Sequence, residues 1–463
     1  MEQINFGISY ISSLLKNYGH TTRLAVLGSS RPKQSLSLLL RTIDQFAPDI
    51  VAFSAVATQY PFVEILAREV KKLHKDLYQV IGGPHVTLHP EQALEGTFNA
   101  VCLSEGEHAL LELANSMRDG RDQHDICNFW FRTENGIVRN PTRPFLENLD
   151  ELPFPDREMW CEWIKQAGHS RLSILLGRGC PFKCTYCSNH TLRQKASGKY
   201  VRFRSVPNIL AEIKHLHQWF PFVTEYFLEV ETFNVDKEWV RDLCNGLHEY
   251  NSTLPTRLTF GTNIRITRDA DFNELFAACA KANITKFTVG LESGSERIRS
   301  EIMHRYYTNA DVIEMARAAR SHGCSFGFQN LIGLPTETEE DFRETVTLNR
   351  VCSPDWYWLS IFYPYPGTDL ATKCIDMGLI SGVLSTVKER AKPVISLPTF
   401  PLRRLRKCYF WFEYDVFRGK KPLYSLLVLV LVKKLFSVPA VYNAIFPLQR
   451  SFVFRIVEAA FKR

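Results

Sequence analysis

The sequence predicts an α/β protein of two domains: a doubly wound, Rossmann-like (flavodoxin-like) unit, then a partial (β/α)6 barrel, with a helical tail behind it. Short apolar runs bounded by helical patterns recur over residues 1–135 and again over 169–385, the mark of parallel sheets covered by helices. Between them "RNPTRPFLENLDELPFPD" (139–156) is rich in proline and turn formers and carries no sustained period, so residues 136–168 read as a linker. The length of 463 residues, with 45% hydrophobic and 23% charged, suits two or three domains of ordinary globular composition.

The first series opens with "ISYISSLLKNYGH" as helix, "TRLAVLG" (22–28) as strand, "SLSLLLRTIDQFA" as helix and "DIVAFSAV" as strand. It continues through the helix "FVEILAREVKKLH", the strand "YQVIGG" and "NAVCLSEGEHALLELANSM", a short strand running into a helix. Sheets of this kind bind ligands beyond the carboxyl ends of their strands. There stand Ser54, then Gly82, Gly83, Pro84 and His85 in "GGPH", and Glu105 and Gly106 in "SEGE". Each of these stretches also reads as a tight turn and a helix start.

The second series has six strands: "RLSILLG", "EYFLEVE", "RLTFGTN", "KFTVGLE", "SFGFQNLIG" and "WYWLSIFYPY". Five helical patterns separate them, among them "VPNILAEIKHLHQWF" and "NADVIEMARAARSHG". Six βα units in a row predict a partial barrel with its chemistry at the strands' carboxyl ends.

The tail, 386–463, holds the positive charge. Residues 401–463 carry 13 Lys or Arg against Glu413, Asp415 and Glu458, an excess of ten in a chain whose total is +7. The apolar run from Leu423 to Val432 is far short of the roughly 20 residues that span a bilayer. "CYFWFEYDVF", "LLVLVLV" and "SFVFRIVEAAF" suit either a peripheral membrane contact or helices folded over the barrel's open side. Twelve scattered cysteines, with no apolar signal core after Met1, read as a reducing, cytoplasmic compartment rather than a disulfide scaffold.

Against that scatter, Cys180, Cys184 and Cys187 crowd one loop, "GRGCPFKCTYCSNH" (177–190), directly after the barrel's first strand. With His190 they make a Cys-Cys-Cys-His set for structural zinc. Without it, three thiolates suit a 4Fe-4S cluster that keeps one iron open.

The C-x3-C-x2-C spacing, with Tyr186 before the last cysteine, resembles the radical S-adenosylmethionine superfamily. The later segments resemble its branch with a cobalamin (B12)-binding domain. "LDELPFPDRE" is similar to that branch's interdomain linker, "FLEVETFNVD" to its second strand with Glu231, and "TNIRI" to its third with Asn263 and Arg265. "VGLESGSERIRSEIMHRYYT" carries Glu292, Ser293, Gly294 and Arg305, while "NLIGLPTETEEDF" and "YPYPGTDL" end the fifth and sixth strands. "IGGPHVTLHPEQAL" and "SEGEHALLEL" are similar to the branch's cobalamin-binding fold, so the resemblance spans residues 5–375. It departs from the pattern in two ways: there is no D-x-H-x-x-G, and no evident first strand precedes the first helix, as in an N-terminally truncated domain.

The resemblance implies a metal site of Cys180, Cys184 and Cys187. It implies cofactor contacts from Glu231, Asn263, Arg265, Glu292, Ser293 and Arg305, and cobalamin contacts from Ser54, Gly82, Gly83, Pro84, His85, Glu105 and Gly106. The implied activity is cleavage of S-adenosylmethionine to a 5′-deoxyadenosyl radical, hydrogen abstraction and cobalamin-dependent C-methylation. The alternatives are radical rearrangement, cyclisation or oxidation, and, from another class, a zinc-stabilised cobalamin-binding regulatory module. The expected partners are a small-molecule or lipid-like substrate and an electron donor such as flavodoxin or ferredoxin, with no nucleic acid. For individual residues bland readings stand beside these: Glu292 as a helix N-terminal acid, Arg305 as a surface charge, and "GLP" and "PGT" as turns.

Overall fold

The computed structural model describes residues 4–167, 171–268, 270–380, 384 and 389–437. The N-terminal sheet holds β1 (Ile50–Ser54), β2 (Tyr78–Gly82), β3 (Ala100–Cys102), β4 (Phe129–Thr133) and β5 (Gly136–Arg139) in that spatial order. β1, β2 and β3 are parallel, and β4 and β5 return as an antiparallel hairpin. Val80 of β2 packs with Leu14 and Leu110 of the helices Phe6–Asn17 and Glu107–Arg118. Its neighbour Ile81 packs on the other face with Tyr60 and Ala67 of the helix Tyr60–Leu73. A parallel strand buried on both faces reads as a continuous apolar run, which is why "YQVIGG" stands out in the sequence.

Two expectations are corrected here. Thr22–Gly28 joins no sheet among the described residues. Its alternation reflects burial on two sides: Ala25 and Leu27 face Leu39, Ile43 and Val70, while Leu24 and Val26 face the barrel's outer core. The N-terminal sheet also runs past residue 135, because the chain turns at "TENG" and Trp130 and Phe131 pair with Arg139 and Val138. The linker's expected end at 168 and the tail's expected start at 386 lie outside the described residues.

The linker is tied to both domains. Asp156 accepts from Ser12 Oγ at 2.6 Å, and Trp160 Nε1 donates to Ser9 Oγ at 2.9 Å, both on the first helix. Arg157 and Arg204 close on Glu212 at 2.8 and 2.5 Å in a buried triad.

The second sheet is fully parallel: β6 (Arg171–Leu175), β9 (Glu225–Glu229), β10 (Thr259–Ile264), β11 (Ile284–Glu292), β12 (Ser325–Ile332) and β13 (Trp356–Ile361) lie side by side in that order. A small antiparallel pair, β7 (Gly177–Arg178) with β8 (Arg202–Phe203), follows β6. The helices between the main strands start on local signals. Thr308 with Asp311 and Thr338 with Asp341 form capping boxes, and the Asp236 and Asp271 side chains accept from the backbone amides of Trp239 and Glu274. Such caps contribute about 1 kcal/mol each. Alternate strand residues (Tyr226, Leu228, Phe260, Phe287, Val289, Phe326, Phe328) enter the core under these helices. By the period of two, their neighbours face the concave side.

Behind β13 the tail folds back. Tyr357 packs edge-on to Phe412 and tilted against Phe417 of the helix Leu402–Phe417, at centroid distances of 5.1 and 5.9 Å. The helix Leu423–Ser437 packs on that helix through Leu426. Part of the tail therefore covers the edge strand, while "SFVFRIVEAAF" lies outside the described residues. No helix among the described residues is long and apolar enough to cross a membrane.

Candidate active site

Two glycines shape the start of the cysteine loop. A Cβ on Gly177 would sit 2.5 Å from Arg202 O, and one on Gly179, whose φ is +85°, would sit 2.2 Å from Tyr200 O. The β7–β8 pair can close only without those side chains. Beyond it the loop is pinned by Thr185, whose Oγ1 donates to Ile302 O at 2.5 Å and whose carbonyl accepts from Leu370 N at 2.9 Å.

Each of the three thiols has its own polar neighbour. Arg265 Nη1 donates to Cys184 Sγ at 3.0 Å, Asn189 Nδ2 donates to Cys187 Sγ at 3.6 Å, and Thr232 Oγ1 lies 3.7 Å from Cys180 Sγ. Burial pushes the Cys180 thiol up and the Cys187 thiol to about 11, so a bound cation is needed to hold them as thiolates at neutral pH. His190 is turned elsewhere, with Nε2 2.9 Å from Asp369 Oδ2. Among the described residues no group of three His, Cys, Asp or Glu side chains converges on a single metal ion. His190 is thus engaged away from the thiols, and three thiols on one loop suit a cluster that takes one thiolate at each of three corners.

Loops of the N-terminal domain grip this loop on both sides. Glu105 receives Arg178 Nη1 at 2.9 Å, Arg202 through both terminal nitrogens at 2.9 and 3.0 Å, and Leu146 N at 2.9 Å. Glu107 takes the other arm of Arg178 at 2.5 Å. On the far side, the helix Pro84–Leu88 packs against Asn189–Leu192, directly after Cys187. Gly83 permits this at φ +101°, where a Cβ would be 2.8 Å from Ala55 O and 3.2 Å from Ser54 Oγ. A Cβ on Gly106 would meet Cys102 Sγ at 3.3 Å, so that turn too is close to the strand before it. His85 lies against Tyr60 and His89, at ring distances of 4.3 and 5.5 Å, and burial pushes it down to about 4, leaving it uncharged near pH 7.

The barrel rim brings the remaining expected residues together, with exceptions. Glu231 accepts from Asn189 Nδ2 at 3.1 Å beside Cys187. Asn263 is half-buried on the concave face of β10. Glu292 sits at a register shift in β11 with φ +63°, an uncommon conformation for a non-glycine residue and one often retained at functional sites. Arg305 lies between Tyr186 OH at 3.0 Å, Gly290 O at 2.5 Å and Glu292 Oε1 at 3.5 Å, buried rather than on the surface.

Two residues are committed elsewhere. Ser293 turns to the helix Glu339–Cys352, with its Oγ 3.4 Å from Thr345 Oγ1 and accepting from Ser295 N at 3.1 Å. The next residue must be glycine, since a Cβ on Gly294 would be 2.4 Å from Thr345 Cα. Glu105 is taken up by the two arginines and has become a bridge between the domains.

Sequence reasoning missed several neighbours. Arg178, Arg202 and Asn189 carry no visible motif, although Arg178 stands inside "GRGC". Glu229, the last residue of β9 and two before Glu231, was visible in the alternation of "FLEVE"; burial pushes it up to about 7. Trp356 and Trp358 face the concave side opposite Tyr357, ring centroids 6.4 Å apart. The Trp356 indole lies over Gly327, where a Cβ would meet it at 1.9 Å.

Residues 174–348 match the family described as the radical SAM superfamily, and residues 1–114 match the B12 binding domain. A protein of Pyrococcus horikoshii described as an uncharacterized methyltransferase, PH0819, is 28% identical over 88% of this chain and 87% of its own length. The anaerobic magnesium-protoporphyrin IX monomethyl ester cyclase of Cereibacter sphaeroides is 24% identical over 80% of this chain and 60% of its own. Among solved structures, the radical S-adenosylmethionine methyltransferase TsrM of Kitasatospora setae, with cobalamin and a [4Fe-4S] cluster bound, superposes with a TM-score of 0.67 at 18% identity, covering 87% of this chain and 77% of that one. OxsB, a cobalamin-dependent S-adenosylmethionine radical enzyme, superposes with a TM-score of 0.70 at 14% identity, covering 97% and 73%. These superpositions are likenesses of fold. The chain thus carries a B12 binding domain followed by a radical SAM domain, in the order the sequence sets them.

Proposed function

We propose that the protein is a cobalamin-dependent radical SAM methyltransferase acting on an unactivated carbon of a small-molecule substrate. One observation carries the reading: the three-thiol loop at the carboxyl end of β6 is held directly against the ligand-facing loops of the N-terminal domain. The bound cofactors would supply the chemistry, a radical from S-adenosylmethionine and a methyl group from cobalamin.

The chain's own residues position and enclose. Cys180, Cys184 and Cys187 hold the cluster. Glu292 offers its carboxylate to the hydroxyls or the amine of S-adenosylmethionine, oriented by Arg305. Arg305, occupied by three protein partners, acts as a positioning residue. Glu231 and Asn263 complete the rim. Ser54, Gly82, Gly83, Pro84, His85 and Gly106 line the cobalamin side, where neutral His85 and the Gly83 cradle suit an uncharged corrin edge. The Trp356 and Trp358 wall of the barrel gives a substrate an apolar surface that excludes water.

A one-electron donor such as flavodoxin or ferredoxin belongs to this proposal, as does a reducing, cytoplasmic compartment; all twelve cysteines are free thiols. So does peripheral contact with an anionic membrane, supported by the exposed stripe of Leu423, Tyr424, Leu427, Val428, Leu431 and Leu435 in a tail rich in Lys and Arg. Anaerobic reconstitution with S-adenosylmethionine, with and without cobalamin, tests the reading: deoxyadenosine without S-adenosylhomocysteine would point to radical rearrangement, cyclisation or oxidation instead.

A further inference from the structure

Arg265 stands at the carboxyl end of β10, and its main chain is fixed from both sides by one residue. Asn234 Oδ1 accepts from Arg265 N at 3.0 Å, and Asn234 Nδ2 donates to Arg265 O at 2.8 Å. The guanidinium lies over the ring of Phe182 at 3.9 Å, which sets its plane, and Nη1 donates to Cys184 Sγ at 3.0 Å. Both partners are shielded from water, Arg265 at 9% exposure and Cys184 at 6%. The other two thiols have only neutral hydrogen-bonding partners, a hydroxyl and an amide, at 3.7 and 3.6 Å, and both lie within reach of the Glu231 carboxylate. One thiol of the three therefore meets a full, permanent positive charge at short range.

We infer that Arg265 raises the reduction potential of the cluster through this charge-assisted N–H···S bond. The inference rests on the reading that Cys180, Cys184 and Cys187 carry a 4Fe-4S cluster. Adding one electron from a low-potential donor makes the thiolate-bound site more negative by one charge. A guanidinium fixed beside one thiolate, away from water, stabilises that state more than the oxidised one. Arginine keeps its proton throughout, so the electron enters without a coupled proton. Phe182 and Asn234 hold the group in place before the electron arrives, which makes Arg265 a positioning residue for electron entry.

The test is a redox titration of the reconstituted full-length protein, with dithionite as reductant and the reduced cluster followed by electron paramagnetic resonance, alongside iron analysis and equilibrium binding of S-adenosylmethionine. In Arg265→Gln, iron content should stay at the wild-type level. The ratio of reduced to oxidised cluster at a fixed potential should fall about tenfold, a downward shift of about 59 mV for a one-electron couple. Arg265→Lys keeps the charge but loses the planar fork and should shift in the same direction by less. Wild-type midpoints in both variants, with weakened S-adenosylmethionine binding, would overturn the inference and make Arg265 a substrate contact. Should the glutamine variant not load iron, the lysine variant decides: an unshifted midpoint overturns the inference as well. Failure of the wild-type protein to take up iron would instead remove the reading beneath it.

Discussion

Arg178 spans from the barrel to the N-terminal domain, its two terminal nitrogens 2.9 Å from Glu105 Oε1 and 2.5 Å from Glu107 Oε1. It stands two residues before Cys180, so the loop that holds the thiols and the loop that follows β3 move as one piece. Arg202, almost fully buried, adds a second fork to Glu105.

Glu105→Gln should therefore loosen the two domains together. Removing the carboxylate leaves the buried Arg202 without its anionic partner, which costs 3–5 kcal/mol for a fully buried pair and, with Glu105 partly exposed, about 2 kcal/mol here. The check is denaturant unfolding of the reconstituted protein, together with proteolysis in the linker. A variant as stable and as resistant as wild type would show the bridge to be incidental.

Replacing Cys180, Cys184 or Cys187 singly by Ala should abolish deoxyadenosine formation and lower iron content. His190→Ala should leave iron content unchanged, since His190 is engaged with Asp369 rather than with the thiols. Iron lost on changing His190 would revive the four-ligand reading.

Gly83→Ala places a Cβ 2.8 Å from Ala55 O on a backbone with φ +101°, a strain of about 1–3 kcal/mol. The loops after β1 and β2 should part, and hydroxocobalamin retained in equilibrium dialysis should fall, with cluster iron unaffected. Unchanged retention would take the cobalamin site away from these loops.

Glu229 has its carboxyl raised from 4.5 to about 7 by burial. Between those values the native state binds more protons than the unfolded one, so stability falls as pH rises through the window. A shift of this size corresponds to at most about 3 kcal/mol, and about half of that is expected for a half-buried group. Glu229→Gln should flatten the pH dependence of unfolding between about 4.5 and 7 and be more stable than wild type above it; an unaltered slope would mean that the group titrates normally.

How much of this was legible in the sequence depends on the range of the interaction. The six barrel strands follow from local alternation, and each main pairing joins strands that are neighbours along the chain. Glu292 and Arg305 come from one continuous segment, so both residues are visible in its motif, although their contact at 3.5 Å is not. By contrast Glu105 and Arg178 lie 73 positions apart, and a lone charge in a loop looks like any solvated charge until the fold closes. Thr22–Gly28 misled for a related reason: alternation reports which side is buried, not whether a neighbouring strand is present to complete a ladder. Ser293 is legible in its motif as a position but not as a direction, because a motif fixes spacing only; beside the close approach of Gly294 to Thr345 its hydroxyl lies toward the helix.

The most direct measurement is anaerobic reconstitution of the full chain with iron, sulfide and S-adenosylmethionine under reducing conditions, with and without hydroxocobalamin, followed by mass analysis of the nucleoside products. Expected are deoxyadenosine formed only when Cys180, Cys184 and Cys187 are all present, and S-adenosylhomocysteine formed only with hydroxocobalamin, whose reduced form takes the methyl group. A protein that binds iron and cobalamin yet forms neither product from S-adenosylmethionine would contradict the radical methyltransferase reading at its root.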